Sequence, residues 1–142
     1  RDWKVNIVAS DISRAVLDRA ERGSFTQYEV NRGLPAPMLM KFFTKQGNEW
    51  LINEQVRSMI TFHELNLIKP FPGCWRFDLV LMRNVLIYFD LATKQDILKR
   101  VRSALHGDGY LLLGAAETTL NVDSNFKRIP FEKTSVYKIC GV

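Results

Sequence analysis

Arg83, Asn84 and Tyr88 place a cation, an amide and a phenol within six residues, directly after the apolar run Phe77-Asp78-Leu79-Val80-Leu81-Met82. In an open α/β sheet, ligands bind beyond the carboxyl ends of the strands. Arginine presents a fork of donors that suits a carboxylate, and an amide and a phenol can each donate and accept. A second position of the same kind is Asp11, which follows the apolar run Val5-Asn6-Ile7-Val8-Ala9. An acidic residue at a strand end in a dinucleotide-type fold commonly accepts hydrogen bonds from ribose hydroxyls, and charge-assisted bonds are the stronger kind. Plainer readings stand beside both. Arg83 and Tyr88 could be a solvated cation and a packing aromatic at a strand end, and Asp11 could be a helix cap competing with Ser13.

The elements that would position these groups can be read from periodicity. Val5 to Ala9, Met59-Ile60-Thr61-Phe62, Asp78 to Met82 and Tyr110-Leu111-Leu112-Leu113 read as short buried strands. Ser13 caps a predicted helix carrying Val16, Leu17 and Ala20 and ending at Gly23. Pro37 could open another helix, through Met38, Leu39 and Phe42. Gln46-Gly47-Asn48 is a turn signal between apolar runs, so residues 41–62 are expected to hold a small antiparallel excursion. Asp90 caps a helix with Ile97, Leu98, Val101 and Leu105 on one face, closed by Gly107. Phe126 to Phe131 and Ser135 to Ile139 read as a terminal pair of strands. Alternation of strand and helix predicts an α/β domain over 1–142, with a parallel sheet and helices on both faces.

Composition narrows the function classes. The chain has 142 residues, 46% hydrophobic and 25% charged, which suits one soluble globular domain. No apolar run approaches the roughly 18 residues of a membrane span. Cys74 and Cys140 are too isolated for a disulfide framework or a zinc site and read as reduced thiols. His63 reads as a strand residue and His106 as a helix C-terminal one, neither with a metal-spaced partner. The net charge of +5 is spread along the chain rather than gathered into a stripe with aromatics, which argues against nucleic acid as a partner.

The run Asp78-Leu79-Val80-Leu81-Met82-Arg83-Asn84-Val85-Leu86-Ile87-Tyr88-Phe89-Asp90 resembles the signature of the CheR-type chemotaxis-receptor methyltransferases. Matching blocks lie on both sides. Upstream are Ala9-Ser10-Asp11-Ile12-Ser13, Ala20-Glu21-Arg22-Gly23-Ser24-Phe25, and Phe62 through Glu64-Leu65-Asn66-Leu67. Downstream are Leu105-His106-Gly107-Asp108-Gly109-Tyr110-Leu111 and Leu113-Gly114-Ala115-Ala116-Glu117-Thr118. The resemblance implies S-adenosylmethionine as cofactor, S-adenosylhomocysteine as product, and glutamate side chains on the cytoplasmic domain of chemoreceptors as the methyl acceptors. It implies a cytoplasmic protein with a Rossmann-like methyltransferase fold: a mostly parallel sheet with antiparallel C-terminal strands. Carried over residue by residue, Asp11 would hold the ribose, Asn66 and Leu67 the adenine, and Arg83 and Asn84 the methionine part of the cofactor. Arg83 would also face the substrate side chain, Tyr88 would lie near the transferring methyl, and Glu117 would shape the rim of the site.

Departures from the family pattern qualify that expectation. The one G-x-G, Gly107-Asp108-Gly109, resembles a structural turn of the family, and the family's glycine-containing cofactor loop, first strand and basic helical domain have no counterpart here. The chain therefore reads as a C-terminal fragment with little activity alone, whose open sheet edges would allow a homodimer. Residues 41–62 carry a single glycine, so a receptor-tether grip is not expected. A non-catalytic interaction module, or a methyltransferase with another acceptor, remains an alternative, because fold alone does not name a substrate.

Overall fold

The computed structural model describes residues 3–131 and 134–140, in two compact units that divide between Asn66 and Leu67. In the first unit, strand β1 (Ile7–Asp11) pairs in parallel with β5 (Ile60–Glu64), Ala9 opposite Phe62 and Asp11 opposite Glu64. β1 starts two residues later than the apolar run suggested and is only partly covered, because it has a single strand neighbour among the described residues. Helix α1 (Arg14–Arg22) begins at Ser13, whose hydroxyl accepts from the Val16 N–H, and buries Leu17. It stops at Gly23, where φ is 64° and the N–H donates to the Ala20 carbonyl. A side chain there would be strained by the left-handed backbone and would meet Ile52 Cγ2 at 2.7 Å.

The antiparallel excursion is present with different bounds. Strands β2 (Ser24–Thr26), β3 (Phe43–Gln46) and β4 (Glu49–Ile52) form a sheet in the order β2-β4-β3. Between β2 and β3 lie α2 (Gln27–Val30), opened by a Thr26–Glu29 capping box, and α3 (Ala36–Phe42), with Pro37 in its first turn. Gly47, at φ 59°, and Asn48 close the β3–β4 hairpin. Phe25 and Phe43 meet edge to face across this sheet, 5.8 Å between centroids. The short α4 (Glu54–Arg57) leads out of it into β5, so residues 60–62 belong to the parallel pair and not to the excursion.

The second unit is built on a four-stranded sheet ordered β6-β7-β9-β8, from β6 (Phe77–Met82), β7 (Leu105–Leu113), β8 (Phe126–Phe131) and β9 (Thr134–Ile139). β6 and β7 run parallel, and the remaining pairs are antiparallel. Helix α5 (Leu91–Ala104) starts at Asp90, whose carboxylate accepts from the Thr93 N–H at 2.8 Å. Its apolar stripe of Ile97, Leu98 and Val101 packs with Met82, Leu111, Leu113, Phe126 and Tyr137 into one core. The helix ends at Ala104 rather than at Gly107. Leu105 is buried and already starts β7, so the chain turns from helix to strand without a left-handed glycine. The residues Gly107-Asp108-Gly109 are taken up as an irregularity of β7: Phe77 faces Leu105, but Leu79 faces Tyr110. His106 accordingly stands exposed near the start of a strand, not at a helix end.

Within this unit, α5 covers one sheet face, where the sequence pattern predicted helices on both. The opposite face carries Leu79, Leu81 and Tyr110 exposed, with the Lys138 ammonium 5.6 Å above the Tyr110 ring. The fold class is the expected one: mixed α/β, parallel pairs and an antiparallel C-terminal hairpin. No helix is long and apolar enough to cross a membrane among the described residues. Cys74 and Cys140 are both free and exposed.

Candidate functional site

Beyond Met82 the chain leaves β6 and turns sharply. Asn84 takes a positive φ of 58°, a conformation asparagine tolerates better than most residues but still at some cost. Glu117, from the segment after β7, holds the turn there. Its Oε2 accepts from the N–H groups of Asn84 (2.7 Å) and Gly114 (2.8 Å), and its Oε1 from those of Val85 (2.8 Å) and Leu86 (2.7 Å). Glu117 is 5% exposed. Gly114 makes the close approach feasible: a Cβ there would lie 2.5 Å from Asn84 Oδ1 and 2.6 Å from Glu117 Oε2.

Leu86 is buried and pins the start of a single 3-10 turn, Leu86–Tyr88. The Tyr88 and Phe89 N–H groups donate back to the Val85 and Leu86 carbonyls. Asp90 then caps α5. The outcome is a fixed backbone with exposed chemistry on it. Arg83 and Asn84 are exposed, and Tyr88 is 80% exposed.

Burial acts to raise the Glu117 carboxyl pKa, but the four backbone N–H donors outweigh it, and the group is held below its ordinary value of 4.5. Because the folded pKa is the lower one, the unfolded chain takes up the proton first. The stability this group contributes is whole above about pH 4.5 and is lost as pH falls through the depressed folded value. Melting temperatures measured from about pH 6 to about pH 3 are expected to fall more steeply for the parent than for Glu117→Gln. Identical slopes would mean that the carboxylate is not the group that titrates on unfolding.

The other sequence candidates sit elsewhere. Asp11, the last residue of β1, accepts the Ser13 N–H on Oδ1 at 2.8 Å, and its carbonyl accepts from the Leu65 N–H. Ser13 is the helix cap, and Asp11 braces the turn into it. Asn66 ends the first unit. Leu67 opens the second, where its carbonyl accepts from Arg100 Nη1 at 2.9 Å and its side chain packs against the core cluster. Arg83, Asn84, Tyr88 and Leu67 thus belong to one unit, and Asp11 and Asn66 to the other.

The part played by Glu117 was underread from sequence, which set it at the rim. The signal available was an acid three residues after a glycine that ends an apolar strand, a spacing that lets a carboxylate turn back onto the glycine N–H. Among the described residues no group of three or more His, Cys, Asp or Glu is placed to hold a metal ion.

Residues 1–135 match the family model for the CheR methyltransferase, SAM binding domain. The chain is 35% identical over 135 residues to chemotaxis protein methyltransferase 1 of Pseudomonas aeruginosa, covering 94% of this chain and 49% of that protein. It is 33% identical over 133 residues to chemotaxis protein methyltransferase Cher2 of Pseudomonas putida, covering 93% and 48%. Against the chemotaxis protein methyltransferase of Borreliella burgdorferi the identity is 36% over 119 residues, covering 82% and 42%. The chain spans about half the length of these curated relatives.

Proposed function

The chain belongs to the CheR methyltransferase family, and on that premise we propose that it serves methylation of glutamate side chains on the cytoplasmic domain of bacterial chemoreceptors. S-adenosylmethionine is the cofactor of this family domain. The side chains present suit it. The acceptor-only carboxylate of Asp11 lies at the carboxyl end of a parallel strand, as ribose hydroxyls require. The amide of Asn66 and the apolar Leu67 are of the types that meet an adenine edge and face. Asn84 and Arg83 would hold the methionine part, where a carboxylate needs donors. When bound, the cofactor supplies an activated methyl group on a sulfonium.

The chain's own contribution is positional. A glutamate side chain is ionised at neutral pH, its reference pKa being near ~4.3, so no strong general base is needed. Arg83 orients that carboxylate through its planar donors without gripping it hard, since a tight ion pair would blunt the oxygen that must react. Tyr88, on the same fixed turn, places its hydroxyl beside the reacting groups. The observation that carries this reading is the turn itself: the exposed side chains of Arg83 and Tyr88 on a backbone held by three hydrogen bonds to the Glu117 carboxylate.

Calorimetric titration of S-adenosylhomocysteine tests the cofactor site, in this chain and in the product of its full gene. Methyl-ester formation on a purified receptor cytoplasmic domain tests the acceptor. Arg83→Ala is expected to lower turnover on the order of 100-fold, as misplacing a substrate does, and Tyr88→Phe on the order of 10-fold. Unchanged transfer after Arg83→Ala would remove Arg83 from the site. Failure of the full-length product to bind S-adenosylhomocysteine would leave a module that acts by protein interaction alone.

A further inference from the structure

We propose that Glu117 is the positioning residue of this site: by accepting from the N–H groups of Asn84, Val85, Leu86 and Gly114 it fixes the left-handed turn at Asn84 and so aims Arg83 and Tyr88. The inference deepens the methyltransferase reading and rests on it. Three observations converge. First, all four acceptor positions used by the carboxylate go to backbone N–H groups, at 2.7 to 2.8 Å, and none to a side chain. Such bonding fixes where a main chain runs, whatever side chains it carries. Second, three of the four donors are consecutive, Asn84, Val85 and Leu86, and they bridge Arg83 to the 3-10 turn that ends at Tyr88. Third, Gly114 leaves room for Asn84 Oδ1 and the carboxylate at the same spot, which only a residue without a Cβ can do.

The chemistry requires a carboxylate. Ionised glutamate is acceptor-only, with two oxygens for two pairs of donors. Glutamine keeps one oxygen and turns an NH2 group toward the other two N–H groups. The pair Asn84 and Gly114, or the pair Val85 and Leu86, would then face a donor, and the positive φ at Asn84 would lose part of what holds it. Glu117 touches no substrate in this scheme; it acts through Arg83 and Tyr88.

The test uses the full-length protein with Glu117→Gln, Arg83→Ala and the double variant. Two readouts are taken: turnover on the receptor domain, and amide hydrogen exchange along the chain. Turnover of Glu117→Gln is expected to fall on the order of 10- to 100-fold. Arg83→Ala is expected to add little further loss in that background, because an unaimed arginine has little left to lose. Exchange should rise locally, in residues 83–89 and 114–118, with the α5 core unchanged.

Losses that multiply in the double variant, or exchange that rises evenly through the core, would overturn the proposal, since a merely stabilising residue gives that pattern. If Glu117→Gln cannot be purified, Glu117→Asp replaces it in the same cycle, keeping the charge but drawing it back by one methylene. Absence of methyl transfer in the unsubstituted protein would overturn the methyltransferase reading and the aiming role with it, while the exchange pattern still decides whether the carboxylate holds the turn.

Discussion

Replacing Gly114 with alanine is expected to destabilise the second unit by about 3 kcal/mol, at the upper end of what one added methyl costs in a close-packed site. The methyl carbon would sit 2.5 Å from Asn84 Oδ1, 2.6 Å from Glu117 Oε2 and 2.9 Å from the Asn84 nitrogen. Two of these three neighbours cannot step aside cheaply. The nitrogen is main chain and the carboxylate oxygen is held by two N–H donors, whereas Asn84 Oδ1 ends an exposed side chain that can turn away. Relief requires breaking hydrogen bonds to a buried carboxylate, which then keeps its charge with fewer donors. Urea titration of the parent and variant measures the loss directly. A variant as stable as the parent would show that the turn relaxes freely and that the carboxylate does not hold it stiffly.

Leu111→Ala is expected to cost about 3 to 4 kcal/mol, the range for a leucine whose cavity cannot collapse. Leu111 is 0% exposed and sits in the core with Ile97, Leu98, Val101 and Tyr137. Its strand, β7, is paired on both sides, with Val80 on β6 and Tyr137 on β9 as its direct neighbours. A strand pinned from two sides cannot move in to fill the void. The control is Leu81→Ala, on the opposite sheet face and 66% exposed, which is expected to change stability by no more than about 0.5 kcal/mol. Equal losses at the two positions would mean that both faces are covered in solution.

Much of the architecture was legible from residue patterning. The helix from Asp90 could be read because its apolar residues recur at helical spacing behind a carboxylate cap, and Gly23 could be read as a helix stop. Strand β2 escaped notice because three residues are too few to show alternation. The end of α5 was overshot because Leu105 satisfies both the helix stripe and the start of the next strand. The exposed face of the sheet was hidden by the run Leu79-Val80-Leu81-Met82, which is apolar at every position although only alternate residues face the core.

At the site, Arg83, Asn84 and Tyr88 stood out because they are nearly contiguous and break an apolar run. The grip of Glu117 was invisible for a physical reason. Its partners are main-chain N–H groups, three of them more than 30 positions back in sequence, and a main-chain donor carries no residue identity to read.

That interlock also bears on how this protein can be recombined with its relatives. Asn84, Gly114 and Glu117 were fitted to one another across the β6–α5–β7 stretch. A chimera with its crossover between Ile87 and Leu113 would join a turn from one parent to a clamp from another, and neither parent's sequence would look damaged. Crossovers placed before Arg83 or after Glu117 exchange the stretch whole, so libraries built on those boundaries should retain folded members that libraries cut within it lose.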